Sequence, residues 1–242
     1  LVCGTARGSQ PLGPEVKQLL VSISADWDAP RGKMVGLERK ANGEWKPTFG
    51  PVPVLFGKNG AAWGRGVFGQ NEPGRQKVER DGRTPAGVFK IGKIYTYDKA
   101  LPKGANYPFH TVTEADAWID DPSLPLYNRH VQVDPKNPPP WFESQKMRHG
   151  DFAYRWLIEI RHNADDIVPG RGSAIFFHIR RGPNRPSVGC TTMAEKDIVA
   201  LIRWLKSSSQ PHYAPMPWSE YRKKWAAWGL PNPDIIRTIA PR

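Results

Sequence analysis

At 242 residues the chain is long enough for one large domain or two small ones, and long enough to bury a sizeable core. Its net charge of +12, from 35 basic and 23 acidic side chains, favours anionic partners, but no run of five basic residues occurs, which argues against nucleic acid. Two cysteines exclude a disulfide scaffold and a multi-thiolate zinc site, and no apolar run of 18 residues is present to span a membrane.

The 25 prolines and 23 glycines break the chain throughout and point to a mainly β fold with many turns. Residues 1–15 are polar and Gly/Pro-rich and read as a flexible segment. Within it, Leu-Val-Cys3-Gly has a faint likeness to a lipoprotein cleavage site. Gln18 to Ala25 reads as a buried strand, Met34 to Arg39 as a second, with a hairpin turn at Asn42-Gly43. Val52 to Gly57 is a short apolar run. Gly57 to Gly69, which holds Trp63, follows no nucleotide-binding spacing and reads as a turn-rich loop. Asp81-Gly82 and Pro85 mark turns before a strand over Val88 to Ile94.

Residues 98–150 are rich in Pro, Asn and Asp and lack periodicity, as expected of a lid or substrate wall, or of a surface insertion. Tyr154 to Arg161 alternates and reads as a half-buried strand. Ser173 to Ile179 is apolar on both faces, as a central strand is, with Ala174, Phe176 and His178 on one side. Thr192-Met-Ala-Glu195 matches a capping box, so a helix is expected directly after Cys190, carrying Ile198, Leu201, Ile202 and Leu205 at helical spacing. A second helix is expected over Ser219 to Trp228, with Trp218, Tyr221, Trp225 and Trp228 on one stripe. The domain reading is therefore 16–210 as the main domain, with 98–150 inserted, and 211–242 as a helical extension packed on it.

The chemistry concentrates between Ser173 and Met193. A strand delivers His178, a loop of Gly, Pro and Arg returns, and Cys190 follows Gly189. A thiol needs a base to become a nucleophile near neutral pH, and an imidazole beside it serves. A helix start after Cys190 would favour the thiolate, and the N–H groups of Gly189 and Cys190 would hold an oxyanion. With no acidic residue between base and thiol, a backbone carbonyl is the expected partner for the imidazole. Arg180, Arg181 and Arg185 lie between them, where they can clamp carboxylates. Ser187, Thr191, Trp63 and Tyr107 complete the candidate substrate contacts. His110, His130, His149, His162 and His212 form no His-x-His or His-x-x-x-His pair, so a metallopeptidase has little support and no metal is expected.

The pattern His178…Ser187-Val-Gly189-Cys190, with Asp81-Gly-Arg-Thr84-Pro85-Ala-Gly87-Val-Phe89 before it, resembles the L,D-transpeptidase catalytic domain, or YkuD-type, family over residues 18 to 205. The family's second histidine is Val188 here, and the position two after the cysteine is Thr192 rather than Arg or Asn. The resemblance implies a β-sandwich or barrel with a long irregular insertion and two C-terminal helices. It also implies attack by Cys190 on peptidoglycan stem tetrapeptides, with His178 as base and no cofactor. The products would be 3–3 cross-links or exchange of the terminal D-amino acid, in the periplasm or outside the cell, and carbapenems would acylate the thiol. Some members attach a lipoprotein to the wall or detach it. The alternatives are an L,D-carboxypeptidase-type hydrolase with the same Cys–His pair, and a non-catalytic wall-binding module.

Overall fold

The computed structural model describes residues 11–241; Cys3 and the anchor reading placed on it lie outside them. The chain forms β1 (Gln18–Ser24), β2 (Arg31–Arg39), β3 (Trp45–Leu55), β4 (Ala61–Trp63), β5 (Thr84–Ala86), β6 (Phe89–Thr96), β7 (Phe109–Thr111), β8 (Asp116–Trp118), β9 (His130–Gln132) and α1 (Phe142–Gln145). It continues through β10 (Trp156–Ile160), β11 (Phe176–Ile179), β12 (Thr191–Met193), α2 (Glu195–Trp204), β13 (His212–Pro217) and α3 (Trp218–Lys224). The main sheet runs β10-β11-β12-β3-β2-β1-β13-β6-β7, and β10 also pairs with β6. That second pairing joins the two ends of the order into a closed, barrel-like ring of eight strands, with β7 beside β6. Closure removes exposed strand edges.

β1 is buried along its whole length because both faces are covered. Leu20 packs into the core shared with Ile158, Phe177 and Met193, which α2 caps through Ile198, Leu201 and Ile202. Leu19, Val21 and Ile23 face the opposite core, closed by Tyr221 of α3 and by Trp228, Ile236 and Ile239. The aromatic stripe Trp218, Tyr221, Trp225 and Trp228 therefore packs against the body. Each large aliphatic side chain so buried contributes about 1.5–3 kcal/mol.

Several local expectations are corrected. The segment from His212 to Pro217, expected to belong to a packed helical extension, is a strand of the main sheet. It is β13, parallel to β1 and antiparallel to β6. Its proline-rich sequence is tolerated because the ladder with β6 covers only His212 and Tyr213, so Pro215 needs no N–H for that partner. β10 is buried on both faces rather than one. Leu157, on its supposedly exposed side, packs with Val112 and Met147 from the insertion. At the N-terminal side, Leu12 is buried and its N–H donates to Trp228 O at 2.9 Å, so residues next to the described start are docked. Finally, Cys190 is not followed by a helix. Thr191–Met193 forms β12 between β11 and β3, and α2 starts after Ala194, which makes no side-chain cap. The Thr192 hydroxyl is buried without a partner instead of capping. Two β-branched residues beside an open central ladder favour the strand over the cap.

Candidate active site

β11 and β12 are parallel neighbours, with Phe177 opposite Thr191 and His178 opposite Thr192. One step earlier in the register, Phe176 meets Cys190, and its N–H donates to Cys190 Sγ at 3.4 Å. Because side chains two apart share a face, His178 and Cys190 are diagonal neighbours on the same face of adjacent strands. Tyr154 belongs to both surroundings. Its ring meets the His178 imidazole edge-on at 5.2 Å, and it packs in the cluster that contains Cys190.

The imidazole is oriented by backbone. His178 Nδ1 lies 2.9 Å from Ile179 O, to which it donates, and this leaves Nε2 with its lone pair free. Burial holds the imidazole down to about 4, so it is neutral near pH 7. Cys190 is half-buried. Burial pushes the thiol up to about 11, against the weaker opposing effects of the Phe176 N–H and of Lys77 and Arg181. Its S–H faces Ala174 O at 3.5 Å. Both shifts favour the neutral forms, so the resting state is thiol and imidazole, not an ion pair. With α2 starting only after Ala194, no helix terminus offsets the burial.

This sets a pH prediction. Alkylation of Cys190 by iodoacetamide should accelerate about tenfold per pH unit from 7 to 10, following the thiolate fraction. It should show no plateau, because the folded thiol titrates only near 11. A plateau below pH 8 would mean a preformed thiolate and refute the neutral resting pair.

The nucleophile loop is tied down by the two sequence landmarks. The hydroxyls of Ser187 and Thr84 both donate to Cys190 O, at 2.5 and 3.4 Å, and Thr84 Oγ1 also accepts from Gly57 N–H at 2.9 Å. The Thr-Pro-Ala-Gly run thus braces the thiol loop. Gly87, at φ +139°, lets the chain pass Phe68 O, where a β-carbon would sit 2.2 Å away. Gly189 has φ +157°, and a β-carbon on it would press on Arg83 O and Ile175 at 3.2 Å.

The oxyanion expectation is revised. Gly189 N–H donates to Ser187 Oγ at 3.0 Å, which leaves the Cys190 N–H as the amide without a partner among the described residues. Ser187 is thereby a brace. Arg181 is near the pair, stacked over Tyr154 at 4.8 Å and bonded through Nε to Asp151 at 3.1 Å. Arg180 and Arg185 do not line the cavity beside Cys190, nor do the other three candidates. Thr191 is buried against Tyr213 OH at 2.9 Å. Trp63 is buried among Trp27 and Trp228. Tyr107 lies in the main core, beside a separate cavity of about 650 Å³ whose wall does not include Cys190. Val188, in the position of the family's second histidine, is 71% exposed.

A cavity of about 150 Å³ opens beside Cys190, and the insertion builds much of its wall through Trp118, Asp120, Met147 and His149. The sequence offers 98–150 as a lid or substrate wall but singles out none of these side chains, because nothing in their spacing announces a shared cavity. Sequence reasoning also missed two buried supports. Lys77 Nζ bonds Asp81 at 2.5 Å and lies 4.0 Å from where a Gly189 β-carbon would stand, a cation set beside the thiol. The Asn128 side chain bonds Ala174 N–H through Oδ1, and the carbonyls of His162 and Asn163 through Nδ2. Asn128 had a signal, the Tyr-Asn pair within an acidic and proline-rich stretch, but no spacing that linked it to Cys190.

The family model for the L,D-transpeptidase catalytic domain, YkuD, matches residues 53–217, well over half of the chain and all of the site just described. The chain belongs to the YkuD family. No curated protein and no solved structure shows a significant match to it. The YkuD family is a family of cysteine-dependent transpeptidases that act on peptidoglycan and are associated with the cell envelope. The mainly β, closed-sheet architecture agrees with that membership. Among the described residues, no helix is long and apolar enough to cross a membrane.

Proposed function

We propose that this YkuD-family chain is a cysteine L,D-transpeptidase that works through an acyl-enzyme on peptidoglycan stem tetrapeptides. The observation that carries the reading is the placement of Cys190 and His178 on one face of neighbouring strands, with Nδ1 held by Ile179 O and Nε2 left free. Cys190 would turn from Ala174 O toward His178 as substrate enters. Its sulfur attacks the carbonyl carbon of the third stem residue while the S–H proton passes to Nε2. The Cys190 N–H is the amide available to the oxyanion. Collapse breaks the C–N bond, and the imidazolium protonates the departing D-alanine amine. An amine from a second stem then attacks the thioester, gives its proton to His178, and the thiol is restored. An incoming D-amino acid in place of a stem gives exchange at the fourth position.

Arg181, close enough to lower the thiol's pKa, would attract the substrate's terminal carboxylate. The experiment is incubation of the purified protein with disaccharide tetrapeptides, followed by mass spectrometry of the products. Cross-linked dimers that lack one D-alanine are expected. Loss of D-alanine without dimers would replace the transferase by a hydrolase, and intact tetrapeptides with no carbapenem adduct would leave only a wall-binding role.

A further inference from the structure

The insertion carries a second constellation that the thiol chemistry described above does not use. His110 on β7, Asp116 at the start of β8 and His130 at the start of β9 come from separate stretches, yet their donor atoms meet. His110 Nε2 and His130 Nε2 lie 2.8 and 2.6 Å from the same oxygen, Asp116 Oδ1. The three ligand atoms all fall within 4.8 Å of one another. Asp116 is fully buried, and its second oxygen is occupied by the Thr113 N–H at 2.7 Å and the Thr113 hydroxyl at 2.6 Å. One carboxylate oxygen is thus clamped and the other is aimed, the arrangement that outer hydrogen bonds give to carboxylate ligands of metals. The imidazoles are tilted at 58° with centroids 4.8 Å apart, and Tyr95 packs edge-on against both, which limits their rotation.

We propose that His110, Asp116 and His130 bind a divalent transition-metal ion, with zinc as the best-matched probe. Two imidazole nitrogens and one carboxylate oxygen suit Zn²⁺, with water in the remaining position. Ligand atoms on a tetrahedral zinc are about 3.3 Å apart, from bond lengths near 2 Å. The two nitrogen–oxygen contacts need to widen by about 0.5–0.7 Å, and the two imidazole nitrogens, within 4.8 Å of each other, need to settle toward the same spacing. Each neutral imidazole then offers Nε2 and carries its proton on Nδ1. Water reaches the site, because the two histidine side chains are 27% and 21% exposed and His130 lines the cavity of about 650 Å³. The His-x₅-Asp-x₁₃-His spacing matches no short motif, which is why sequence reading expects no metal.

The ion would act as a clasp for the substrate wall. β7, β8 and β9 are three residues long each, too short to be stable on pairing alone. Trp118 is two residues from Asp116 and pairs with His130 across β8 and β9. Its ring packs on Phe176 at 4.8 Å and lines the cavity of Cys190. Fixing Asp116 and His130 to one ion therefore fixes Trp118.

The test uses the untagged full chain, stripped with EDTA, equilibrated with ZnCl₂ and desalted. Plasma mass spectrometry should find one zinc per chain, and zinc at a hundredfold excess over its dissociation constant should raise the melting temperature by about 5 °C or more. Cys190→Ala should keep both, which separates this site from zinc held by the thiol. His110→Gln and His130→Gln, at partly exposed positions, should each weaken zinc binding at least about tenfold. Co²⁺ should give visible absorption without a thiolate charge-transfer band. The proposal falls if the stripped protein takes up no zinc, if Cys190→Ala loses it, or if both histidine variants bind as the parent does. Should those variants not fold, the parent stoichiometry and the cobalt spectrum decide alone.

Discussion

Replacing Cys190 by alanine is expected to lower tetrapeptide turnover at least about 10⁴-fold and to abolish any carbapenem adduct, because among the described residues no other thiol lines the cavity. His178→Gln should cost about 10²–10⁴-fold near pH 7. The physical reason lies in the two burial shifts. With burial pushing the thiol up and the imidazole down, transfer of the proton in the resting enzyme runs uphill. Deprotonation must therefore accompany attack, with His178 Nε2 taking the proton as the C–S bond forms. The sign of the pH effect follows. Raising pH from 7 to 10 increases the thiolate that needs no base, so the deficit of His178→Gln should narrow with pH. A deficit constant over that range, measured by single-turnover acylation, would assign His178 a merely structural role. Protein stability should follow the same groups. The depressed imidazole withdraws stability as pH falls from 6.5 toward 4, and the raised thiol withdraws it as pH climbs from 9 toward 11.

Asn128→Ala is expected to destabilise the fold by about 4 kcal/mol, read as a lower urea midpoint with an unchanged slope. The amide is buried and makes four hydrogen bonds, including one from Trp118 Nε1 at 3.2 Å and one from Ala174 N–H at 3.0 Å. Truncation strands all four partners. It also asks alanine to hold φ +56°, a region that asparagine tolerates better. The loss reaches the site, because Ala174, itself at φ +52°, presents the carbonyl that meets the thiol. Residual folded Asn128→Ala should therefore alkylate at Cys190 with altered rate. The exposed Asn42, which bonds only Glu44 in its turn, sets the contrast: Asn42→Ala should cost less than about 1 kcal/mol. Equal effects at both positions would show that Asn128 is no keystone between the insertion and the thiol strand.

The sequence by itself determined the features that local patterning controls. The apolar run at Gln18, the turn at Asn42-Gly43, the strand after Thr84-Pro85 and the helical spacing of Ile198, Leu201 and Ile202 all follow from period and turn chemistry. The family was legible too, since its two landmarks are contiguous motifs, and the same motifs singled out Cys190 and His178 as the candidate pair. Tertiary structure decided what depends on covering and closure. Whether β10 is buried on one face or two depends on where the insertion lies. Whether Thr191–Met193 becomes strand or helix cap depends on an unfilled ladder between β11 and β3. Whether Trp63 and Tyr107 line a site or a core depends on which elements pack over them. The meeting of His110, Asp116 and His130 depends on three short strands brought together from segments far apart in the chain. Period and spacing report only on neighbours along the chain, whereas burial, thiol acidity and convergent donor atoms belong to neighbours in space.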